Sequence, residues 1–96
     1  MKERNNEYRQ QLENDAKRVV SEFLANPEYA MVKQEYALHF DEIKATIDDP
    51  RTTLRTCVED IMCLSPVIKK GISAKQIFFL ELHRAIKEGI LSKDML

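Results

Sequence analysis

The chain has 96 residues, of which 44% are hydrophobic and 32% are charged, and its formal net charge is −1. These proportions are typical of one globular domain and exclude a wholly disordered chain. Only two glycines and no tryptophan are present, so we do not expect a β-sandwich, a β-barrel or a glycine-rich phosphate loop. An all-α domain is the expected fold class.

The N-terminal segment and the two cysteines indicate the compartment. Residues 1–15, MKERNNEYRQQLEND, are polar and lack the apolar core of a secretory signal. No run approaches the ~18 consecutive apolar residues of a membrane span. We therefore expect a cytoplasmic protein in which Cys57 and Cys63 stay reduced and act as small apolar side chains. Six residues apart on one predicted helix, the two thiols point in nearly opposite directions, so we expect no disulfide between them.

The first two predicted helices meet at Asn26-Pro27. Proline disfavours helical geometry in the residue before it and suits the first position of a helix, so Asn26 ends one helix and caps the next. Helix one is predicted over about residues 3–25 and helix two over about residues 27–47. Apolar residues recur at helical spacing in both: Tyr8, Leu12, Ala16, Val19 and Phe23 in the first, and Tyr29, Val32, Tyr36, Phe40, Ile43 and Ile47 in the second.

Proline also marks the start of the next two elements. Asp49-Pro50 predicts a carboxylate cap and the beginning of helix three, over about residues 50–64. Ser65-Pro66 predicts a short extra helical turn over residues 67–70, which Gly71 closes.

Helix four has the strongest local signals. Ser73 and Gln76 have the spacing of a capping box, and the isoleucines at positions 72 and 77 have that of a hydrophobic staple. Gly89 supplies a stop, so helix four is predicted over about residues 74–88, and Ile90 is expected to fold back over its end. Together these elements predict an antiparallel four-helix bundle with a short extra turn between helices three and four.

Leu80 is the apolar residue of helix four that no local pattern explains. At 100° per residue, the apolar positions 78, 79, 82, 85 and 86 share one face, whereas Leu80 lies on the other side. One interpretation is that residues 66–72 fold over Leu80, and the other is that Leu80 belongs to a contact surface. The residues predicted to contact a partner are Gln76, Leu80, His83, Arg84 and Lys87.

The distribution of charge indicates which partner such a surface would meet. Residues 1–49 carry seven Lys/Arg and eleven Asp/Glu, a net charge of −4, whereas residues 50–96 carry eight and five, a net charge of +3. The second half is therefore the expected face for an anionic or electronegative partner. The alternative is that the two oppositely charged halves attract each other.

We expect no catalytic, cofactor-binding or metal site. Glu35, His39 and Glu42 share one face of helix two, but no other helix supplies a matching E-x-x-H pair, so we interpret them as an exposed polar face. His83 is interpreted as a surface histidine, because no serine, cysteine or lysine neighbours it in an activating pattern. The sequence also lacks a phosphate loop, a nucleophile elbow and a zinc-type pairing of cysteines.

A DNA-binding helix-turn-helix is an alternative for residues 63–80. Gly71 would lie in its turn, and Ser73, Lys75 and Gln76 would face the bases. Positions 66 and 70, which should be apolar, hold proline and lysine, and the recognition helix has few arginines. A sequence pI of about 6.1 also lacks the basic character of nucleic-acid binders. We therefore expect no nucleic-acid partner.

With this order of helices, the chain resembles the small immunity proteins that protect producers of class IIa bacteriocins, especially the enterocin A immunity type. The resemblance covers about residues 13–91 and lies in three segments: AKRVVSEFLANPEY, DDP and GISAKQIFFLELHRAIKEGI. It implies an antiparallel four-helix bundle in the cytoplasm that catalyses nothing. It also implies a partner, the mannose phosphotransferase permease, whose bacteriocin-opened pore such proteins are thought to block from inside the cell. In that family the C-terminal half sets which bacteriocin is countered.

The expected function is therefore that of a small, cytoplasmic, non-catalytic protein that acts by protein–protein contact, in its most specific form as a bacteriocin immunity protein. A DNA-binding regulator and a phage- or plasmid-encoded adaptor that binds another soluble protein are the alternatives. The sequence leaves the oligomeric state open.

Overall fold

Six α-helices and two short 3₁₀ turns make up the computed structural model, which describes residues 2–96, with side chains from Glu7 onward. The α-helices are α1 (Lys2–Ala25), α2 (Ala30–Leu38), α3 (Phe40–Asp48), α4 (Cys57–Met62), α5 (Pro66–Ala74) and α6 (Gln76–Lys87), and the 3₁₀ turns are Pro27–Tyr29 and Lys93–Met95. No β-strand occurs among the described residues, so the all-α fold class is confirmed. The structure has six α-helices over these residues, whereas the sequence predicts four. None of the helices in this part of the chain is both long and apolar enough to cross a bilayer.

The junction after α1 follows the expected proline rule. Asn26 has extended backbone geometry, and its side-chain oxygen accepts a hydrogen bond of 2.9 Å from the backbone N–H of Glu28. Pro27 then begins the 3₁₀ turn that leads into α2, so the predicted end of helix one and the Asn26 cap are confirmed. The apolar stripe of α1 is buried from Ala16 onward, whereas Tyr8 is 66% exposed. Tyr8 therefore belongs to the apolar stripe in the sequence but lies outside the core.

Predicted helix two is divided at His39 into α2 and α3. His39 has φ −105° and ψ 17°, outside helical values, yet its N–H donates to the carbonyl of Glu35 and its carbonyl accepts from Ile43, both at 3.0 Å. The helical path therefore bends without a loop. The bend packs α2 against α5 and α3 against α4 and α6. All six residues of the predicted seam are buried: Tyr29, Val32, Tyr36, Phe40, Ile43 and Ile47.

The prediction of a helix over residues 50–56 is wrong, because these residues form turns. Asp49 accepts hydrogen bonds from the Arg51 side chain and backbone N–H, which lower the pKa of its carboxyl group. The backbone N–H of Thr53 donates to the hydroxyl of Thr56 at 2.9 Å, and that of Thr56 donates to the hydroxyl of Thr53 at 3.2 Å. Such local bonds compete with helix formation, so the helix is delayed until Cys57.

The predicted short turn after Ser65 is a full helix, α5. Its start is confirmed, since the Ser65 hydroxyl accepts hydrogen bonds from the N–H groups of Val67 and Ile68 at 3.1 and 3.2 Å. The predicted stop at Gly71 is wrong, because Gly71 lies inside α5. An ideal Cβ at position 71 would lie 2.9 Å from Cγ2 of Val32. Glycine is therefore needed here for the close approach of α5 to α2, and not to end a helix.

The start of α6 is also displaced from its predicted position. Ser73 lies in the last turn of α5, so the predicted capping box with Gln76 is wrong, and Lys75 alone joins α5 to α6. The predicted end is confirmed: Gly89 has φ +78°, and the N–H of Ile90 folds back to donate to the carbonyl of Ala85 at 2.8 Å.

The core centres on the inner face of α6, which packs against α1, α3 and α5. Phe79, Leu82, Ala85 and Ile86 are fully buried there, as predicted. Phe23 of α1 makes edge-to-face aromatic contacts with Tyr36 at 5.5 Å and with Phe79 at 6.0 Å between ring centroids. With its inner face fixed in this way, α6 leaves its opposite side available for contacts outside the core.

Candidate functional site

The outer side of α6 and the short helix α4 form a shallow groove of about 410 Å³, which we call the α4–α6 groove. Its lining residues are Arg55, Val58, Glu59, Met62, Gln76 and Leu80. The three apolar side chains are half-buried and form its floor, whereas the three polar ones are exposed at its rim. An apolar floor with a polar rim is typical of a protein contact site.

The position of Leu80 decides between the two interpretations of this residue. Leu80 is half-buried and lies beside α4. Residues 66–72 belong to α5, which packs on α2 and α4, and they do not line the groove that contains Leu80. Residues 66–72 therefore do not fold over Leu80 on this side. Of the predicted contact residues, Gln76 and Leu80 line the groove together, and the other lining residues come from α4 and the turn before it.

Ile77 is a candidate contact residue that sequence reasoning assigned to another role. The predicted staple with Ile72 is wrong, since Ile72 is buried and Ile77 is 80% exposed, the largest exposure among the large hydrophobic residues with described side chains. Ile77 does not line the α4–α6 groove, but it precedes Leu80 by about one helical turn and therefore lies on the neighbouring part of the outer side of α6. An exposed large apolar residue beside an apolar groove indicates an interaction surface.

His83 is a buried residue, so the prediction that it lies at the surface and contacts a partner is wrong. Its side chain is 0% exposed, and its Nε2 lies 2.7 Å from the hydroxyl oxygen of Tyr36. Burial lowers the pKa of His83 to about 4 and raises the pKa of Tyr36 well above its usual value. Both groups are therefore neutral at pH 7. Among the described residues, Nδ1 of His83 has no hydrogen-bond partner.

A signal for this buried pair was present in the sequence. Tyr36 lies in the middle of a core seam, and a buried tyrosine hydroxyl generally has a hydrogen-bond partner. His83 follows Phe79 by one helical turn and therefore lies at the edge of the inner face of α6. What the sequence does not give is the packing of α2 and α6 that brings these two side chains together.

The two cations of the predicted contact set lie in different surroundings. Arg84 is half-buried, forms an ion pair with Glu81, and donates from Nη2 to the carbonyl of Leu12 at 3.5 Å. Arg84 therefore faces α1 and does not line the groove. Lys87 is exposed. It follows Leu80 by two helical turns and therefore lies on the same side of α6 as Leu80.

A second groove, of about 480 Å³, lies between α2 and α5, and we call it the α2–α5 groove. Its rim is ordered by Lys75, whose Nζ donates to the hydroxyl of Tyr29 at 3.0 Å and lies 3.6 Å from a carboxylate oxygen of Glu28. The hydrogen bond with Tyr29 raises the pKa of Lys75. The lining residues are Glu28, Tyr29, Met31, Val32, Pro66, Val67, Lys70, Gly71, Ala74 and Lys75.

Outside the two grooves, the described residues include two free cysteines and one contact between a histidine and a carboxylate. Both cysteines are free, but only Cys57 is buried, so the expected role of a small apolar side chain holds for Cys57 and not for the exposed Cys63. His39 Nδ1 lies 3.4 Å from a carboxylate oxygen of Glu42. Within the described part of the chain, no three His, Cys, Asp or Glu side chains are grouped so that they could hold a metal ion.

The segment proposed for a helix-turn-helix does not have the geometry of that motif. Gly71, expected in the turn, is inside α5, and Lys75 is the single residue between α5 and α6. Helix-turn-helix motifs join their helices through a turn of about 3–4 residues. Of the residues expected to face DNA bases, Lys75 is held against Tyr29 and Ser73 lies on the preceding helix.

The chain matches no protein-family model, no curated protein and no solved structure. The candidate site is therefore defined by the geometry of α4 and α6 alone.

Proposed function

We propose that the protein is non-catalytic and acts by contact, receiving a helical segment of a partner protein along the α4–α6 groove. The observation that carries this proposal is the 80% exposure of Ile77 beside a groove whose floor is formed by Val58, Met62 and Leu80. Covering one isoleucine of this kind contributes roughly 1.5–3 kcal/mol. An apolar groove of this type is suited to the apolar side of an amphipathic helix.

The charges around the groove favour an electronegative partner. Arg55 lies at the rim and Lys87 on the adjoining part of α6, whereas Glu59 is the acidic residue of the lining. The net charge of this set is therefore positive, in keeping with the net charge of +3 on residues 50–96. Charge of this kind acts mainly on the rate and specificity of association.

In its most specific form, this proposal makes the protein a bacteriocin immunity protein. The support is the resemblance of residues 13–91 to the enterocin A immunity type and the position of the groove in the half of the chain that sets specificity there. In this proposal α1, the bent α2–α3 pair, α4 with α5, and α6 take the places of the four antiparallel helices. The protein acts from the cytoplasmic side on a membrane permease engaged by a bacteriocin.

Expression of the chain in a sensitive strain, followed by challenge with a panel of pediocin-like peptides, tests this form of the proposal. We expect increased survival against at least one peptide, relative to cells with the empty vector. An absence of protection across the whole panel, at a verified level of folded protein, would contradict the immunity function.

Gel-shift measurements across salt concentrations test the alternative of DNA binding. We expect no shifted band at low salt, where phosphate contacts are strongest. Binding at low salt that falls steeply as salt increases would favour a DNA-binding regulator and contradict the proposed contact function.

A further inference from the structure

The outward side of α2 is unusually apolar for a surface helix. Met31 is 67% exposed and Leu38 is 73% exposed, and Ala30 and Gln34 are also exposed. At 100° per residue these four side chains occupy one side of α2, and we call them the α2 outer face. None of them carries a charge.

The opposite side of the same helix is apolar as well, because Val32 and Tyr36 are buried in the core. Lys33 and Glu35 lie between these two sides, so the outward apolar residues form a face of their own and are not a continuation of the core. Exposed apolar patches on soluble proteins generally mark sites of interaction. The α2 outer face is therefore a surface that a partner is expected to cover, and it is separate from the α4–α6 groove.

We propose that the α2 outer face binds a second copy of this chain, with the two α2 helices antiparallel about a two-fold axis near Gln34. Met31 and Leu38 stand at opposite ends of the face, about 10 Å apart along the helix. Two-fold symmetry brings Met31 of each copy to Leu38 of its partner, and Gln34 to Gln34. The four side chains of the face carry no charge, so they bring no like charges together.

The charges at the two ends of the face select the antiparallel arrangement. Lys70 and Lys75 line the groove beside Met31, where the acidic residue is Glu28. This end therefore carries a net positive charge.

The other end of the face carries a net negative charge. Asp41 and Glu42 are exposed and follow Leu38 by three and four residues, and the hydrogen bonds through His39 keep helical spacing between them. Nζ of Lys93 lies 3.2 Å from Oδ2 of Asp41, so one of the two negative charges is balanced. Antiparallel pairing sets this end against the basic end of the second copy, whereas parallel pairing would set like charges together.

The small size of the face predicts a weak dimer. Four side chains and their charged margins are far fewer than the roughly 20–30 residues that each partner contributes to a stable complex. We therefore expect a dissociation constant on the order of 100 μM.

Sedimentation equilibrium of the full chain, from about 10 μM to about 1 mM, measures this constant directly. In Leu38→Asp each copy sets a carboxylate against Met31 of the other, and we expect the dissociation constant to rise at least about tenfold. Tyr8→Asp is the matched control, because it makes the same type of change at a comparably exposed apolar site of α1, outside the face. We expect the dimer of this control to be unchanged, and far-UV circular dichroism verifies that both variants are folded.

A pair of charge reversals tests the antiparallel register. Lys70→Glu and Glu42→Lys should each weaken the dimer about threefold, and the double variant should restore it, because it re-creates opposite charges at both ends. A wild type that stays monomeric up to about 1 mM would overturn the proposal. A dimer that survives Leu38→Asp, or charge reversals without mutual rescue, would overturn it as well.

Discussion

The two sides of α6 differ in what they do for the molecule. The inner side buries Phe79, Leu82 and Ile86 completely and includes the neutral His83, whereas the outer side exposes Ile77 and leaves Leu80 half-buried in a groove. One helix of twelve residues thus holds the core together on one side and offers an apolar contact surface on the other. Substitutions on the two sides of α6 should therefore separate stability from function.

The largest effect is expected from Leu82→Ala on the inner side. Leu82 is fully buried, so its truncation leaves a cavity and should lower the free energy of unfolding by about 2–5 kcal/mol. Urea denaturation measures this loss, with the m value as a check that the transition stays two-state. Leu80→Ala is the matched control. An equal loss in both variants would contradict the division of α6 into an inner and an outer side, because Leu80 would then belong to the core.

The next effect concerns the pH dependence of the inner side. The pKa of His83 is about 4 in the folded protein and about 6.5 when exposed in the unfolded chain. The unfolded state therefore binds the proton first as pH falls, and stability that is complete above pH 6.5 declines down to pH 4, by up to about 3 kcal/mol.

Unfolding free energies at several pH values, for the wild type and for His83→Gln, isolate this contribution from that of the carboxylates. The variant should be less stable at pH 7 but should show a shallower decline between pH 6.5 and 4. Parallel curves for the two proteins would show that His83 titrates normally and is not buried as a neutral group.

A smaller effect is expected at the close contact between α5 and α2. In Gly71→Ala the added Cβ would meet the stiff side chain of Val32 at 2.9 Å, and this clash should outweigh the ~1 kcal/mol that alanine gains over glycine in a helix. We expect a net loss of about 1 kcal/mol. With Val32→Ala as the background, the same change should become stabilising, and a double-mutant cycle measures the reversal. Additive effects of the two substitutions would contradict the close contact.

The smallest effect on stability is expected on the outer side. Ile77→Asp changes a side chain that is 80% exposed, so the free energy of unfolding should stay within about 0.5 kcal/mol of the wild type. A shift of the thermal midpoint by many degrees would show that Ile77 supports the fold, and the sharp division of α6 into two sides would be lost.

Features set by local chemistry were predictable from the sequence. Asn26-Pro27, Ser65-Pro66 and Gly89 act through backbone geometry and nearby hydrogen bonds, and each lies at the predicted helix end. The buried seam of predicted helix two was also correct, because apolar residues at helical spacing identify the side that faces the core.

Features set by packing between helices were not predictable in this way. Glycine often ends a helix, and the sequence alone therefore predicts a stop at Gly71. Its actual role, to allow close packing, depends on Val32, which is 39 positions away in the chain but adjacent in space. The bend at His39 likewise accompanies the different neighbours of α2 and α3. Around Thr53, hydrogen bonds between threonine hydroxyls and backbone N–H groups replace those of a helix. The spacing of apolar residues carries no information about such bonds.

The candidate site was predictable in part. Leu80 departed from the periodicity of α6, and it does lie in a groove with Gln76. His83 was misplaced because its partner, the hydroxyl of Tyr36, is supplied by another helix. Ile77 was missed because α6 begins two residues later than predicted, which removes the expected staple.

The assignment of the contact surface to the outer side of α6 is tested by the survival of a sensitive strain that expresses Ile77→Asp. The strain is challenged with a pediocin-like peptide against which the wild type protects. Ser21→Asp is the charge-matched control at an exposed position of α1. We expect protection to fall at least about tenfold for Ile77→Asp and to be retained for Ser21→Asp, at equal levels of folded protein. Full protection by Ile77→Asp would contradict the assignment of the contact surface to the outer side of α6.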